Sequence, residues 1–149
     1  MRELRVAHRA DIFAVQRATR ELGRELGFVP IAIGELVIVA SELSSNILKY
    51  GVSGRVRLEA TTHGVRGAGM RISAFDGGPP FHDFELALKD GFTDRGPLDP
   101  AAILHRGGIG AGLGAALRFS DELEWEPLPG GKRVFATRYV ARHSGGHWR

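Results

Sequence analysis

One segment of the sequence places three polar side chains in a line along an otherwise apolar stretch. In IVASELSSNILKYG (residues 38–51), Glu42, Asn46 and Lys49 recur at spacings of four and three. On a helix of 3.6 residues per turn, Asn46 lies about 40° round the axis from Glu42, and Lys49 about 20° in the other direction. An amide oxygen suits a hard cation, and a carboxylate one turn away can accept a proton. The alternative is a solvated helix face with an incidental contact between Glu42 and Lys49.

The rest of this helix is apolar around most of its circumference. The residues concerned are Leu36, Val39, Ala40, Leu43, Ile47 and Tyr50. A helix that is apolar nearly all round is a buried helix. Its polar line is therefore expected either to meet solvent in a cleft or to find partners inside the protein.

A second candidate is Asp76 in AFDGGPPF (residues 74–81). It follows Met70, Ile72 and Ala74 in the inward phase of an apolar strand, which predicts a carboxylate at the edge of the core. Burial of that charge must be offset by a hydrogen-bond donor, and an adenine amino group is one. The alternative is an aspartate that ends a strand and caps a turn.

A third candidate is the glycine-rich segment RGGIGAGLGAALRFSD (residues 106–121), with five glycines among residues 107–114. Exposed backbone N–H groups at a helix start bind phosphates, whereas the alternative is a flexible linker. Gly110, Gly112 and Ala115 fit G-x-G-x-x-A, but no βαβ unit precedes them, so a dinucleotide site is not expected. The chain contains neither a P-loop nor a G-x-S-x-G motif.

Periodicity supplies the elements that would position these residues. Residues 2–8 predict a short strand, Asp11 is expected to N-cap a helix that ends near Gly27, and a second helix is expected from Ile31 to Tyr50. Strands are predicted at 55–61 and 69–76 around a hairpin loop, then short helices at 84–88 and 113–119. A final antiparallel pair (121–127 and 133–140) and a frayed tail (142–149) complete the chain. Early helices followed by hairpin-linked strands favour an α+β fold: a two-layer α/β sandwich whose mixed, mostly antiparallel sheet carries helices on one face.

Composition limits the class of protein. A chain of 149 residues that is 43% hydrophobic and 25% charged is typical of one globular domain, here expected to span 1–149. The sequence contains no cysteine, so the cytoplasm is the default compartment. The net charge is +3, but the 20 basic residues are interleaved with 17 acidic ones, which is weak support for nucleic-acid binding.

Taken in this order, the three candidate segments resemble the GHKL family of ATP-binding proteins, which share the Bergerat fold. Residues 42–51 (ELSSNILKYG) are similar to the family's N-box, residues 76–80 (DGGPP) to its first glycine box and residues 107–114 (GGIGAGLG) to its second. The resemblance spans nearly the whole chain. Within the family it is nearest to the small anti-sigma and switch-protein serine kinases of the RsbT and RsbW kind, on the RsbT side.

The resemblance implies a role for each matched residue. Asn46 would ligate Mg²⁺ that bridges the phosphates of ATP, and Glu42 would act as general base or orient the attacking hydroxyl. Asp76 would accept a hydrogen bond from the adenine amino group, with Gly78 allowing close backbone approach. Lys49 would touch a phosphate or pair with Glu42. The residues expected to wrap the phosphates are Gly108, Gly110, Gly112, Leu113 and Gly114.

The sequence departs from the family pattern in three places. Pro80 stands where the first glycine box has its second glycine, which removes an N–H group. Residues 93–106 are longer than the short lid of RsbT-like proteins. The last hairpin lacks the family's Gly-Thr-Thr, so no nucleotide contact is expected from Thr137.

Two function classes follow from the resemblance. The first is a serine/threonine kinase that uses Mg-ATP to phosphorylate a STAS-domain antagonist, with a sigma factor or a PP2C-type phosphatase as the regulated protein. The second is a non-catalytic module that binds such partners, with or without nucleotide. Glu42 favours the first and Pro80 the second. The interpretation allows a homodimer, and it includes neither nucleic acid nor a membrane among the partners.

Overall fold

A computed structural model describes residues 1–49, 52–88, 92–93, 96–97 and 113–141. The helices are α1 (Asp11–Leu26), α2 (Pro30–Lys49), α3 (Phe84–Ala87) and α4 (Gly114–Arg118). The strands are β1 (Arg2–Val6), β2 (Gly54–His63), β3 (Gly67–Asp76), β4 (Phe92–Thr93), β5 (Gly96–Pro97), β6 (Glu122–Leu128) and β7 (Gly131–Tyr139).

Five of the strands form one sheet in the order β1-β2-β3-β7-β6. Each neighbouring pair in this sheet is antiparallel, and the two-residue strands β4 and β5 pair separately. The last strand of the sheet to be reached along the chain, β7, therefore lies inside the sheet, between β3 and β6. The expected α+β sandwich is confirmed, with an antiparallel sheet in place of a mixed one among the described strands.

The core lies between one face of the sheet and the helices α1 and α2. Alternate strand residues point into it, as the period of two requires. The core residues include Val56, Leu58, Met70, Ile72, Ala74, Val134 and Ala136 from the sheet and Val15, Leu22, Leu36, Val39, Leu43 and Ile47 from the helices. By length and composition α2 could also cross a membrane, but half of its most apolar stretch is buried inside this core. Its apolarity is accounted for by its place at the centre of the fold.

The opposite face of the sheet carries arginines that pack on aromatic rings. The guanidinium groups of Arg55 and Arg57 lie 4.4 and 4.9 Å from the centroid of the Phe75 ring, and both pair with Glu3 at 3.1 Å. Arginine stems cover apolar surface while their charged ends remain in water. The strands can therefore be apolar on one side and charged on the other, which explains why the basic residues are spread along the sequence.

The start of α1 differs from the prediction. Ala10, not Asp11, is the N-cap residue, and it makes no side-chain cap hydrogen bond. Asp11 is the first helical residue, and its Oδ2 accepts hydrogen bonds from the backbone N–H groups of Ala7 at 2.8 Å and His8 at 2.9 Å. The prediction that Asp11 caps the helix is therefore wrong, because its carboxylate reaches back to the turn that joins β1 to α1.

The other predicted boundaries agree closely with the described elements. Gly27 ends α1 in the left-handed conformation with φ of 88°, as a C-terminal glycine does. The predicted second helix shifts by one residue and ends at Lys49 within the described residues. The final hairpin turns at Pro129 and Gly130, where Gly130 has φ of 77°. The predicted tail (142–149) lies outside the described residues.

The hydrogen bonds from the two N–H groups lower the pKa of the Asp11 carboxyl below its ordinary value. A lowered folded-state pKa stabilises the fold above the unfolded-state pKa, and that contribution is lost as the pH falls through the folded-state pKa. We therefore expect Asp11→Asn to lower the free energy of unfolding at pH 7 and to have a smaller effect at about pH 2, because the Asp11 carboxylate is protonated as the pH falls through its folded-state pKa. Urea unfolding at the two pH values measures the difference. An equal effect at both would show that the charge is not what matters.

Candidate functional site

The polar line on α2 is buried over its first two members. Glu42 and Asn46 are each 4% exposed, and Lys49 is half-buried. The alternative that this line is a solvated helix face is therefore wrong for Glu42 and Asn46. The line belongs to the interior side of the helix.

Asn46 differs from Ser41 and Ser44, on the same helix, in its hydrogen bonding. The hydroxyls of Ser41 and Ser44 donate to the carbonyl oxygens of Val37 and Ala40, both at 2.7 Å. Within the part of the chain that the structure describes, the Asn46 amide makes no hydrogen bond. Asn46 thus has hydrogen-bonding and ligating capacity that the protein itself does not use.

Asp76 lies where the strand phase predicts, at the inner end of β3, and it is paired from within the chain. Its Oδ1 accepts from Lys132 Nζ at 3.0 Å and from the backbone N–H of Gly78 at 2.7 Å. The exposed fractions of the two side chains are 1% for Asp76 and 0% for Lys132. Both hydrogen bonds go to Oδ1, and among the described residues none reaches Oδ2.

These contacts bear on both interpretations of Asp76. The hydrogen bond from the Gly78 N–H, two residues on, is the one by which a strand-ending aspartate caps a turn. The capping alternative therefore describes one of the two contacts of Asp76. The buried charge also requires a donor, and Lys132 supplies it. Lys132 is the functional candidate that sequence reasoning missed. The signal in the sequence is that Lys132 lies in the same inward phase of the strand as Val134 and Ala136. The structure adds that Lys132 is in register with Asp76.

Two glycines allow the backbone to close around the pair. Gly54 is in register with Asp76, and Gly131 precedes Lys132. A methyl group on Gly54 would lie 2.0 Å from the carbonyl oxygen of Phe75, and one on Gly131 would lie 2.0 Å from that of Asp76. Any side chain at either position would push the neighbouring strand away from β3.

Three aromatic rings pack beside Lys132. The centroid of the Phe81 ring lies 5.4 Å from Lys132 Nζ, within the range of a cation–π contact. Phe81 in turn packs edge-on against Phe84 and Trp125, with centroids 4.9 and 5.1 Å away. These aromatic residues give the ion pair an apolar wall. A pocket of about 320 Å³ opens at the same strand ends, lined by residues 53–55, 75–77 and 128–131.

The fold brings the N-box helix and Asp76 to the same end of the sheet. A methyl group on Gly54, the register partner of Asp76, would lie 3.0 Å from Ile47 Cγ2, so the second half of α2 lies over this strand end. α2 also packs against α4. The glycine-rich segment therefore leads into a helix beside the one that carries Glu42 and Asn46.

The predicted phosphate-binding residues are only partly described. Leu113 and Gly114 are buried at the start of α4, and Leu113 makes no side-chain cap hydrogen bond. With five residues, α4 has a weak dipole, so phosphate binding would depend on individual backbone N–H groups. Gly108, Gly110 and Gly112 lie outside the described residues, as does most of the predicted lid.

The described residues could hold a metal ion only if most of its ligands come from other groups, such as phosphates and waters. Among the described residues, no group of three or more His, Cys, Asp or Glu residues could hold a metal ion. Mg²⁺ needs few protein ligands when phosphates and waters complete its shell. The unused amide of Asn46 supplies one oxygen of the right kind, which agrees with a metal that arrives with a nucleotide.

The architecture and the buried polar line define a small α+β protein with a candidate ligand site at one end of its sheet. No family model matches the chain. A curated relative, the serine/threonine-protein kinase RsbT of Bacillus subtilis (strain 168), is 30% identical over 139 residues, which is 92% of this chain and 95% of the relative. The chain belongs to the RsbT family. The resemblance inferred from the motifs is confirmed at this level.

We expect the Asp76–Lys132 pair to be strongly coupled. Lys132→Met would leave a buried carboxylate without its cation and lower the free energy of unfolding by about 3–5 kcal/mol. The double variant Asp76→Asn/Lys132→Met should lose much less than the sum of the single variants, because neither charge is left alone. Urea unfolding of the four proteins gives the coupling energy.

The exposed pair Glu3–Arg55, with side chains 36% and 48% exposed, is the matched control. The same cycle there should give a coupling of about 1 kcal/mol or less. A coupling at Asp76–Lys132 no larger than the control would contradict the assignment of a strong buried pair.

Proposed function

We propose that this protein is a serine/threonine protein kinase that uses Mg-ATP and has the GHKL type of nucleotide site. The observation that carries the proposal is Asn46: a buried amide without a hydrogen bond among the described residues, one helical turn from a buried carboxylate. Family membership supplies the reaction class, since the relative is named a serine/threonine-protein kinase.

In this proposal each residue of the site has one task. Asn46 holds Mg²⁺ together with the phosphates, and the segment containing Gly108, Gly110, Gly112, Leu113 and Gly114 wraps the phosphates. Oδ2 of Asp76 accepts the adenine amino group, because Oδ1 already has two donors. Gly78 keeps the backbone close to the base. Lys49 contacts a phosphate or pairs with Glu42.

The chemistry proposed is direct transfer of the γ-phosphoryl group. The serine or threonine hydroxyl of the acceptor passes its proton towards Glu42 while its oxygen bonds to the γ-phosphorus. The bond from that phosphorus to the β–γ bridging oxygen breaks, and ADP leaves. Glu42 is 4% exposed and lies one helical turn from Asn46, so its carboxylate is shielded from bulk water beside the proposed metal ligand.

The partner proposed is a STAS-domain antagonist, with a sigma factor or a PP2C-type phosphatase controlled by partner exchange in the cytoplasm. The start of α2 offers a contact surface for it. Val29 and Ile31 are large apolar residues that are 59% and 75% exposed, next to the first turn of the helix that carries the site. Scattered exposed apolar residues are common, but two within the start of one helix suit contact with a docking protein.

A second candidate function is favoured by one observation. Asp76 is already satisfied by Lys132 and Gly78, and Pro80 removes an N–H from the glycine box. Neither residue needs a nucleotide to complete its contacts. A non-catalytic module that binds STAS-type partners through the same surfaces would keep this arrangement.

We expect the wild type to bind Mg-ATP, and Asn46→Ala and Asp76→Asn to weaken binding about tenfold or more, because each removes a polar contact proposed to the ligand, and Asp76→Asn also breaks the pair with Lys132. Isothermal calorimetry measures the affinities, and circular dichroism checks the fold of each variant. Ser45→Ala is the control on the same helix, since Ser45 lies outside the polar line. Equal binding by all four proteins, or binding by none, would remove the site assignment.

Glu42→Gln separates catalysis from binding. It keeps the size and polarity of the side chain but cannot take a proton, so ATP affinity should change by no more than about threefold while phosphoryl transfer slows by roughly 10² or more. Single-turnover transfer from labelled ATP to a STAS-domain acceptor measures the rate. Parallel loss of affinity and rate would make Glu42 a structural residue, and no transfer by the wild type would favour the binding module.

A further inference from the structure

The face of the sheet that points away from the helices carries its charges in two separate groups. The side chains of β2, β3 and β7 that do not enter the core include four arginines: Arg55, Arg57, Arg71 and Arg133. Among the described outward residues of those strands, Glu59 is the one acid. On β6, Leu123 and Trp125 pack against the core, so the outward residues include Glu122, Glu124 and Glu126. The middle of this face is therefore basic and its β6 edge acidic.

Two half-buried aromatic rings lie at the centre of the face, Phe75 on β3 and Phe135 on β7. The guanidinium group of Arg133 lies 4.0 Å from the centroid of Phe135 and 5.6 Å from that of Phe75. Aromatic residues and arginines are enriched in protein interfaces. Arginines that already rest on rings lose less rotamer freedom when a partner arrives, so this centre is suited to binding.

The charges of this face are only partly paired within one copy of the chain. A sheet face that meets only water commonly mixes the two signs, because opposite charges pair across neighbouring strands. Glu126 does so with Arg133 at 3.4 Å, but Glu124 is exposed and lies opposite Phe135. Within the described part of the chain, Glu124 makes no ion pair. The acidic edge therefore has charge left for a partner.

We infer that this face binds a second copy of the chain, with β6 of each copy lying over β2 of the other. A two-fold axis parallel to the strands, between β3 and β7, produces this arrangement, because β2 and β6 are equally distant from it on opposite sides. The strand register then sets Glu124 against Arg57 of the second copy, and Glu126 against Arg55 of the second copy. The symmetry makes each contact twice.

The dimensions of the sheet agree with such a contact. Two sheets pack about 10 Å apart with their strands within about 30° of each other, and this axis keeps the strands aligned. Four strands of this length cover about 500 Å² on each copy, so the total reaches about 1,000 Å², the lower limit of a specific interface. Glu59 and Glu122 would meet at one end, where Arg66 already pairs with Glu122 at 3.5 Å. We therefore expect a reversible dimer of modest affinity.

The dimer would leave both candidate sites open. Asn46 and Asp76 lie on the helix side of the sheet, and the proposed contact uses the opposite side. The inference therefore goes beyond the proposed function and does not depend on nucleotide binding.

Sedimentation velocity of the full chain between about 1 µM and 1 mM tests the inference. The wild-type dimer fraction should rise with protein concentration and fall with added salt, which screens exposed charges. Glu124→Arg and Arg57→Glu should each weaken the dimer about tenfold or more, because each sets like charges against each other. An equimolar mixture of these two variants should dimerise about as well as the wild type, since both contacts then join opposite charges. Glu21→Arg, an exposed charge reversal on α1, is the control and should change nothing.

Three results would overturn the inference. The first is a wild type that stays monomeric over the whole range, which needs no variant to fold. The second is a pair of single variants that dimerise like the wild type, and the third is a mixture that stays monomeric. Circular dichroism checks each variant, and if Arg57→Glu does not fold, Glu126→Arg and Arg55→Glu repeat the experiment at the neighbouring contact. None of these results alters the calorimetric test of Mg-ATP binding.

Discussion

The ion pair between Asp76 and Lys132 is the interaction around which this end of the sheet is arranged. Two charges without water require short, well-directed contacts, and the strands supply them by placing the residues in register at 3.0 Å. Close approach of three backbones follows, which is why Gly54 and Gly131 flank the pair without side chains. The turn at Gly78 and the Phe81 ring complete the enclosure.

α2 has to satisfy two opposed requirements. As the central helix of the core it must be apolar on nearly every side, and it also carries Glu42 and Asn46 into the interior. Ser41 and Ser44 resolve the same conflict locally, by bonding to carbonyls one turn back. Asn46 makes no such bond among the described residues, so the helix retains a polar group with unused hydrogen-bonding capacity.

Much of this arrangement could be predicted from local pattern. The apolar circumference of residues 36–50 indicates a buried helix, and the phase of Met70, Ile72 and Ala74 predicts that Asp76 points inward. Both follow from periods of 3.6 and 2, which are local properties. The family resemblance added the order of the motifs, which no single motif established.

What could not be predicted depends on distant or competing partners. Lys132 pairs with a residue 56 positions earlier, and only the register between β3 and β7 brings them together. The N-cap was placed wrongly because Asp11 had two sets of N–H groups within reach, and its carboxylate bonds those of Ala7 and His8 rather than those of its own helix. The glycines at 54 and 131 carry no signal until the strands that crowd them are known.

The strand order has a consequence for how the protein is made. β7 is synthesised after every other strand of the sheet, yet it lies between β3 and β6. Until it emerges from the ribosome, β3 presents an open edge with a row of unpaired backbone groups, and Asp76 lacks its lysine. An open apolar edge is a template for pairing with other chains. Completion of this sheet therefore waits for β7, and until β7 has been made the nascent chain is exposed to pairing with other chains along β3.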